Sequence, residues 1–243
     1  MLNFLLYSTL YWEYYIMGFI LLPGLIFAIY AQSKVTSTYN KFSKVASESG
    51  RTASEVARIM LDAAGCTNTT ITKIGGELTD NFNPKTNVVS LSSAVCDSTS
   101  VAAIGIAAHE VGHAIQYKTN YFPMKIRKFA IVLSNISSTL LWPLVLIGLI
   151  LNFTLVSGVG MIMAWAGVAV FGLAVLVNLA TLPVEYNASR RATTILKESG
   201  LLTEQESNNA KKVLSAAALT YVAALVVSIL NLLRFILVIR DDR

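Results

Sequence analysis

The sequence predicts a mainly α membrane protein: four transmembrane helices and a cytoplasmic helical region that also holds a small β-hairpin. Two observations lead there. The first is composition. Of 243 residues, 54% are hydrophobic and only 14% charged, and the mean hydropathy is +0.59. Soluble domains average nearer a quarter charged, and intrinsic disorder needs the opposite bias. The second is where charge is missing. Tyr14–Ser33, Phe129–Val184 and Val213–Leu233 contain no charged residue, and the middle run is 56 residues long. A helix needs about 20 apolar residues to cross the hydrocarbon core. The outer runs fit one span each. The middle run fits two, folded at the polar, glycine-containing stretch Asn152–Gly160.

The expected spans are 14–31, 129–151, 160–182 and 213–233. They divide the chain into an N-terminal segment with the first span (1–31), a charged region (32–128), a transmembrane hairpin (129–182), a second charged segment (183–212), and the last span with its tail (213–243). Pro23 and Pro143 fall inside spans and mark kinks. Residues 1–12 contain no Lys or Arg and no A-x-A site follows, so the first span does not read as a cleavable signal peptide.

Charge then sets topology. Residues 32–128 carry 11 Lys/Arg against 7 Asp/Glu, residues 185–212 carry 5 against 4, and the tip 152–160 carries none. The positive-inside rule places both charged segments in the cytoplasm and both termini outside. The expected location is the plasma (inner) membrane, multi-pass. The net charge of +5 is thus a topology signal, and no nucleic-acid partner is expected. Cys66 and Cys96 are too few for a disulfide framework and lack C-x-x-C spacing, so they read as buried thiols.

Within 32–128, Val35, Tyr39, Phe42 and Val45 recur at helical spacing, and the helix is expected to end near Gly50. Thr52 and Glu55 form a capping-box pattern. The helix they open carries Val56, Ile59 and Met60 on one side and stops at Gly65. Ile71–Ile74 and Asn87–Leu91 are short β-prone runs around an Asn83-Pro84-Lys85 turn, which predicts a hairpin. A free edge along Asn87, Val88, Val89, Ser90 and Leu91 would bind an extended peptide through its backbone. Asp97, Ser98 or Ser100 can cap a helix running to about Tyr117, and Ala102 and Gly105 permit close packing of its first half. In the second segment a helix ends at Gly200, and Thr203 with Glu206 repeats the capping-box spacing.

The helix near Tyr117 carries His109-Glu110-Val111-Gly112-His113, an H-E-x-x-H motif. Positions i and i+4 share a helical face, so two imidazoles can grip one ion. Glu110 stands beside them, placed to take a proton from an activated water and pass it to a leaving amine. His109 and His113 are the only two histidines in the chain. A catalytic zinc needs a third protein ligand and an open position, so that ligand is expected to be a carboxylate or, as the second choice, a thiolate. Glu185, just past the third span, is the first choice, because an acid at that depth needs a partner. Asp80 and Asp97 are further candidates, and an ion pair of Glu185 with Arg190 or Arg191 is the competing role. Tyr186, Arg190, Arg191 and Tyr221 are candidate donors to a developing oxyanion.

In Gly76–Asp80, Ser100–Ile104, Ala108–Gln116, Leu182–Ala192 and Ala216–Tyr221, the chain resembles the YugP-like membrane zinc metallopeptidases of bacteria. More distantly it resembles membrane gluzincins such as the bacterial heat-shock membrane protease and the CAAX prenyl endopeptidase. The resemblance implies one Zn²⁺, with Glu185 as its third ligand. In the distant relatives an acid four residues later orients a histidine. Ser189 stands there in this chain, and Asn187 is a candidate for the orienting role.

The expected activity is a membrane zinc endopeptidase that cuts membrane proteins or peptides at the cytoplasmic face. Its partners would be a protein or peptide substrate and the lipid bilayer; a homo-oligomer or partner membrane proteins are compatible with this. The alternative is a non-proteolytic assembly or quality-control factor with a structural or regulatory metal. A transporter is disfavoured, since no span interior carries paired ionisable residues.

Overall fold

The computed structural model describes residues 18–127 and 157–241, together with positions 139, 143, 144, 147 and 148. The chain falls into two compact units. One comprises residues 31–125 and 181–220, the other residues 1–30, 126–180 and 221–243.

The first unit is built on helices α1 (Leu22–Phe42, which enters it at Ala31), α2 (Ala53–Ala63), α3 (Ser93–Cys96) and α4 (Val101–Lys118). It also holds the C-terminal part of α5 (Ser157–Glu198) and the N-terminal part of α6 (Glu204–Asp241). The expected helix over 34–49 stops at Phe42. Beyond it, the Ser47 N–H donates to Thr99 O at 2.9 Å and the Val101 N–H to Val45 O at 2.9 Å, with Ala46 bridged to Ser100. A tertiary strand-like pairing at the mouth of α4 thus overrides the helical periodicity of Val45. The two capping boxes form as predicted. Thr52 Oγ1 accepts from Glu55 N while Glu55 accepts from Thr52 N. Thr203 and Glu206 repeat the exchange. Glu206 also accepts from Glu48 N at 2.7 Å, tying the turn after α1 to the start of α6. α5 stops before Gly200, whose φ of +65 is a conformation that glycine adopts freely.

The core of this unit packs Val56, Met60 and Leu61 of α2 against Ile104, Ala108 and Val111 of α4, with Leu196 of α5. Against it lies a sheet that corrects the hairpin expectation. β1 (Thr70–Ile74), β2 (Asn81–Asn83) and β3 (Val88–Ser92) are ordered β1-β3-β2. β1 pairs β3 in parallel, and only β2 pairs it antiparallel. The Pro84–Asn87 turn is real, but the strand it joins to β3 is β2, a three-residue run with no alternating apolar pattern.

In the second unit, α5 and α6 each carry a stretch long and apolar enough to cross a membrane. These match two of the four expected spans, and among the described residues no other helix meets that test. Span 129–151 lies outside the described residues, apart from 139, 143, 144, 147 and 148. For 14–31, residues 14–17 also lie outside them. From Leu22 onward α1 runs unbroken through the end of that expected span into the charged segment, and its described residues do not meet that test. Ala164, Val168, Phe235 and Ile239 form a core here, with the Phe171 and Phe235 rings 5.8 Å apart. Outward side chains such as Ile162, 71% exposed, suit a hydrocarbon solvent.

Candidate metal centre

Ser100 caps α4 by accepting from Ala103 N at 3.2 Å. From there α4 carries a buried, alanine-rich face that ends in the H-E-x-x-H turn. The His109 and His113 rings lie with centroids 4.6 Å apart and planes at 84°. Both present Nε2 to Glu185 of α5. Glu185 Oε2 is 3.1 Å from His109 Nε2 and 3.5 Å from His113 Nε2. One ligand atom from each of the three residues falls within 4.8 Å of the others. Glu185 is 2% exposed, and Glu110 is buried beside the pair.

Gly112 makes this approach possible. A Cβ at that position would lie 2.6 Å from Ala188 O. Two helix backbones therefore touch where any side chain would part them, and the contact sets Glu185 and Ser189 against the imidazoles.

The opposite ring nitrogens are also held. Ser189 Oγ is 3.0 Å from His109 Nδ1, so the serine occupies the orienting position itself. His113 Nδ1 is 3.0 Å from Gln116 Oε1. Gln116 Nε2 donates to Val184 O at 2.8 Å and to Asn187 Oδ1 at 3.0 Å. A backbone carbonyl only accepts, so the Gln116 amide has one orientation. Its Oε1 then requires a proton on His113 Nδ1, which leaves the Nε2 lone pair facing Glu185. Asn187 acts at one remove, also accepting from Arg191 Nε at 2.8 Å. The Arg191 guanidinium lies 5.9 Å from the Tyr121 ring centroid.

The other sequence candidates fall elsewhere. Asp80 accepts from Ser92 N and Ser92 Oγ, fixing the loop before β2. Asp97 pairs with Lys73, whose hydrogen bond and charge hold its carboxyl below the ordinary value. Burial pushes both cysteine thiols up, and neither belongs to the donor cluster. Tyr186 and Arg190 line a cavity between α5 and α6. Tyr221 belongs to the unit of apolar helices. β3 is the central strand, so the edge expected along Asn87, Val88, Val89, Ser90 and Leu91 is not free; the outer edges belong to β1 and β2. Gln116 was not singled out by its chemistry. Its signal was spacing: it lies three residues after His113 and seven after His109, on the same helical face.

Two imidazoles and one carboxylate, with each Nδ1 held by a hydrogen-bond partner, suit a divalent zinc ion with a fourth position open. The donor set, on a largely helical scaffold with two apolar helices, defines a membrane-associated zinc hydrolase class. Residues 17–240 match the family described as "Putative neutral zinc metallopeptidase", and the chain belongs to it. It is 40% identical over 225 residues to the "Putative membrane protease YugP" of Bacillus subtilis (strain 168), covering 93% of this chain and 97% of that protein. No solved structure matches.

Proposed function

We propose that the chain is an integral, multi-pass endopeptidase that uses one zinc ion to hydrolyse membrane proteins or peptides near the cytoplasmic face of the plasma membrane. The convergence of His109 Nε2, His113 Nε2 and Glu185 Oε2 supports this reading. The sidedness rests on the excess of Lys and Arg in the two charged segments.

When bound, zinc supplies Lewis acidity that acidifies a water and polarises a carbonyl. His109, His113 and Glu185 would hold it. Glu110, adjacent to His109, takes the proton of the attacking water and delivers it to the leaving amine. Gln116 keeps His113 in the tautomer that exposes Nε2, and Ser189 orients the His109 ring.

The test is the purified membrane protein, assayed for zinc and for peptide hydrolysis beside Glu110→Gln. The variant is expected to keep its zinc and lose about 10²–10⁴-fold in rate. Undiminished cleavage by the variant, or a wild type that binds no zinc, would overturn the proposal.

A further inference from the structure

The end of α4 is closed by a local device. Asn120 adopts a left-handed conformation, φ +52, which asparagine tolerates better than most residues. Its N–H donates to Tyr117 O at 3.1 Å, and the Tyr121 N–H donates to Gln116 O at 3.0 Å. These bonds satisfy carbonyls that the helix end would leave open. They also turn the chain back, and the Tyr121 ring meets the guanidinium of Arg191 on α5 within the range of cation–π attraction.

Arg191 has a second engagement. Its Nε donates to Asn187 Oδ1 at 2.8 Å, one turn back on α5. The same oxygen accepts from Gln116 Nε2 at 3.0 Å. The contacts therefore close a circuit: Gln116 O to Tyr121, Tyr121 to Arg191, Arg191 to Asn187, and Asn187 back to the Gln116 amide.

Within the circuit each contact has its own task. Val184 O fixes which way round the Gln116 amide lies. One bond still lets the amide pivot about it. Asn187 supplies the second point, but its side chain is only half-buried and can turn to water. Arginine carries donors and no acceptor, so Arg191 binds Asn187 through its oxygen alone and keeps that oxygen facing Gln116. Gln116 Oε1 in turn holds His113 Nδ1 at 3.0 Å. A pivot there re-aims Nε2 on the far side of the ring.

We propose that Arg191 is a positioning residue of the metal centre, acting through Asn187 and Gln116 to hold the His113 ring with Nε2 on the donor cluster. This rests on the reading of His109, His113 and Glu185 as zinc ligands. The role belongs to the Nε–H donor and not to the charge.

The experiment uses substitutions that separate donor from charge. In Arg191→Gln the amide nitrogen stands as many bonds from Cα as the arginine Nε, without the charge. Arg191→Lys keeps the charge and puts a carbon there. Arg191→Met has neither donor nor charge. Zinc affinity of the full chain, purified on a histidine-free tag, is read by chelator competition. Arg191→Met and Arg191→Lys are each expected to weaken it roughly fivefold, less than the about 10–100-fold loss typical of a direct partner of a ligand. Arg191→Gln should stay near wild type. In a Gln116→Leu background, where the link is already cut, Arg191→Met should weaken binding no further. Asn187→Leu cuts the same link at another residue and should match Arg191→Met. Thermal melts check that every variant is folded.

A second readout needs no zinc. The chain has only two histidines, so ring-¹⁵N spectra contain two rings. In zinc-free protein at alkaline pH, the His113 signals, identified by Gln116→Leu, should move in Arg191→Met and keep their wild-type positions in Arg191→Gln. Wild-type zinc affinity in Arg191→Met and Asn187→Leu, rescue by Lys instead of Gln, a full further loss in the Gln116→Leu background, or unmoved His113 signals would each overturn this role alone. A wild type that binds no zinc would overturn the metal reading and this role with it.

Discussion

The two units solve the problem of polar groups in opposite ways. In the unit with the donor cluster, buried polar side chains are numerous and joined to one another. Gln116 alone links His113, Val184 O and Asn187, and Asn187 links on to Arg191. In the unit of apolar helices, the described residues show a plainer pattern. Asn178 Nδ2 donates to Ser228 Oγ at 3.0 Å, and the described core is otherwise Ala, Val, Ile and Phe. The first unit has geometry to protect. A ring rotated at Nδ1 aims its Nε2 elsewhere, so each nitrogen is held. The second needs only helices that stay helical in a low-dielectric solvent, where backbone hydrogen bonds are satisfied within the element.

The largest break in this contrast is expected from Gly112→Ala. A methyl placed 2.6 Å from Ala188 O must force α4 and α5 apart. Overpacking of this kind costs about 1–3 kcal/mol, and it displaces Glu185 as well. Denaturant unfolding and zinc titration should both shift. A variant with wild-type zinc affinity would show that the helix contact does not set the donors.

Gln116→Leu keeps the side chain's bulk and removes its hydrogen bonds. Loss of such an orienting partner weakens metal binding about 10–100-fold. Chelator competition measures this without any substrate. Gln116→Glu retains an acceptor for His113 Nδ1 but loses the donor to Val184 O and Asn187 Oδ1, so it should recover only part of the loss.

Glu206→Gln tests the joint between the turn after α1 and the start of α6. Removing a charge-assisted cap should cost about 1 kcal/mol. The Glu206 carboxyl is desolvated by burial, which raises its pKa, yet hydrogen bonds from Thr203 and Glu48 outweigh this and hold it below 4.5. A folded pKa below the unfolded one stabilises above the unfolded value, and the gain is lost as pH falls through the folded value. Wild type and variant melting temperatures should therefore differ above pH 4.5 and converge in more acid solution.

The smallest effect is expected from Asn178→Leu in the apolar unit. Hydrogen bonds between membrane helices average about 0.6 kcal/mol. A loss as large as that from Gln116→Leu would mean that the two units are built alike after all.

Much of this was legible beforehand. The H-E-x-x-H turn declares itself by two histidines four residues apart, and both capping boxes by a threonine and a glutamate three apart. Such features are local, and their physics is complete within one turn. The count of two histidines left a carboxylate or a thiolate as the remaining ligand. Other features were not legible. The parallel pairing of β1 with β3 depends on a three-residue strand too short to show a period. The stop of α1 at Phe42 depends on residues near Ser100.

By itself the sequence determined where charge is absent, where the two capping boxes open helices, and that one helix offers two imidazoles and a glutamate. Periodicity, capping and hydropathy act over a few residues, so the chain states them directly. Only the tertiary structure decided that Glu185, and neither Asp80 nor Asp97, meets those imidazoles, and that Gln116 and Ser189 hold them. Those contacts join residues about 70 to 80 positions apart. They exist because a glycine on α4 lets another backbone come within contact distance.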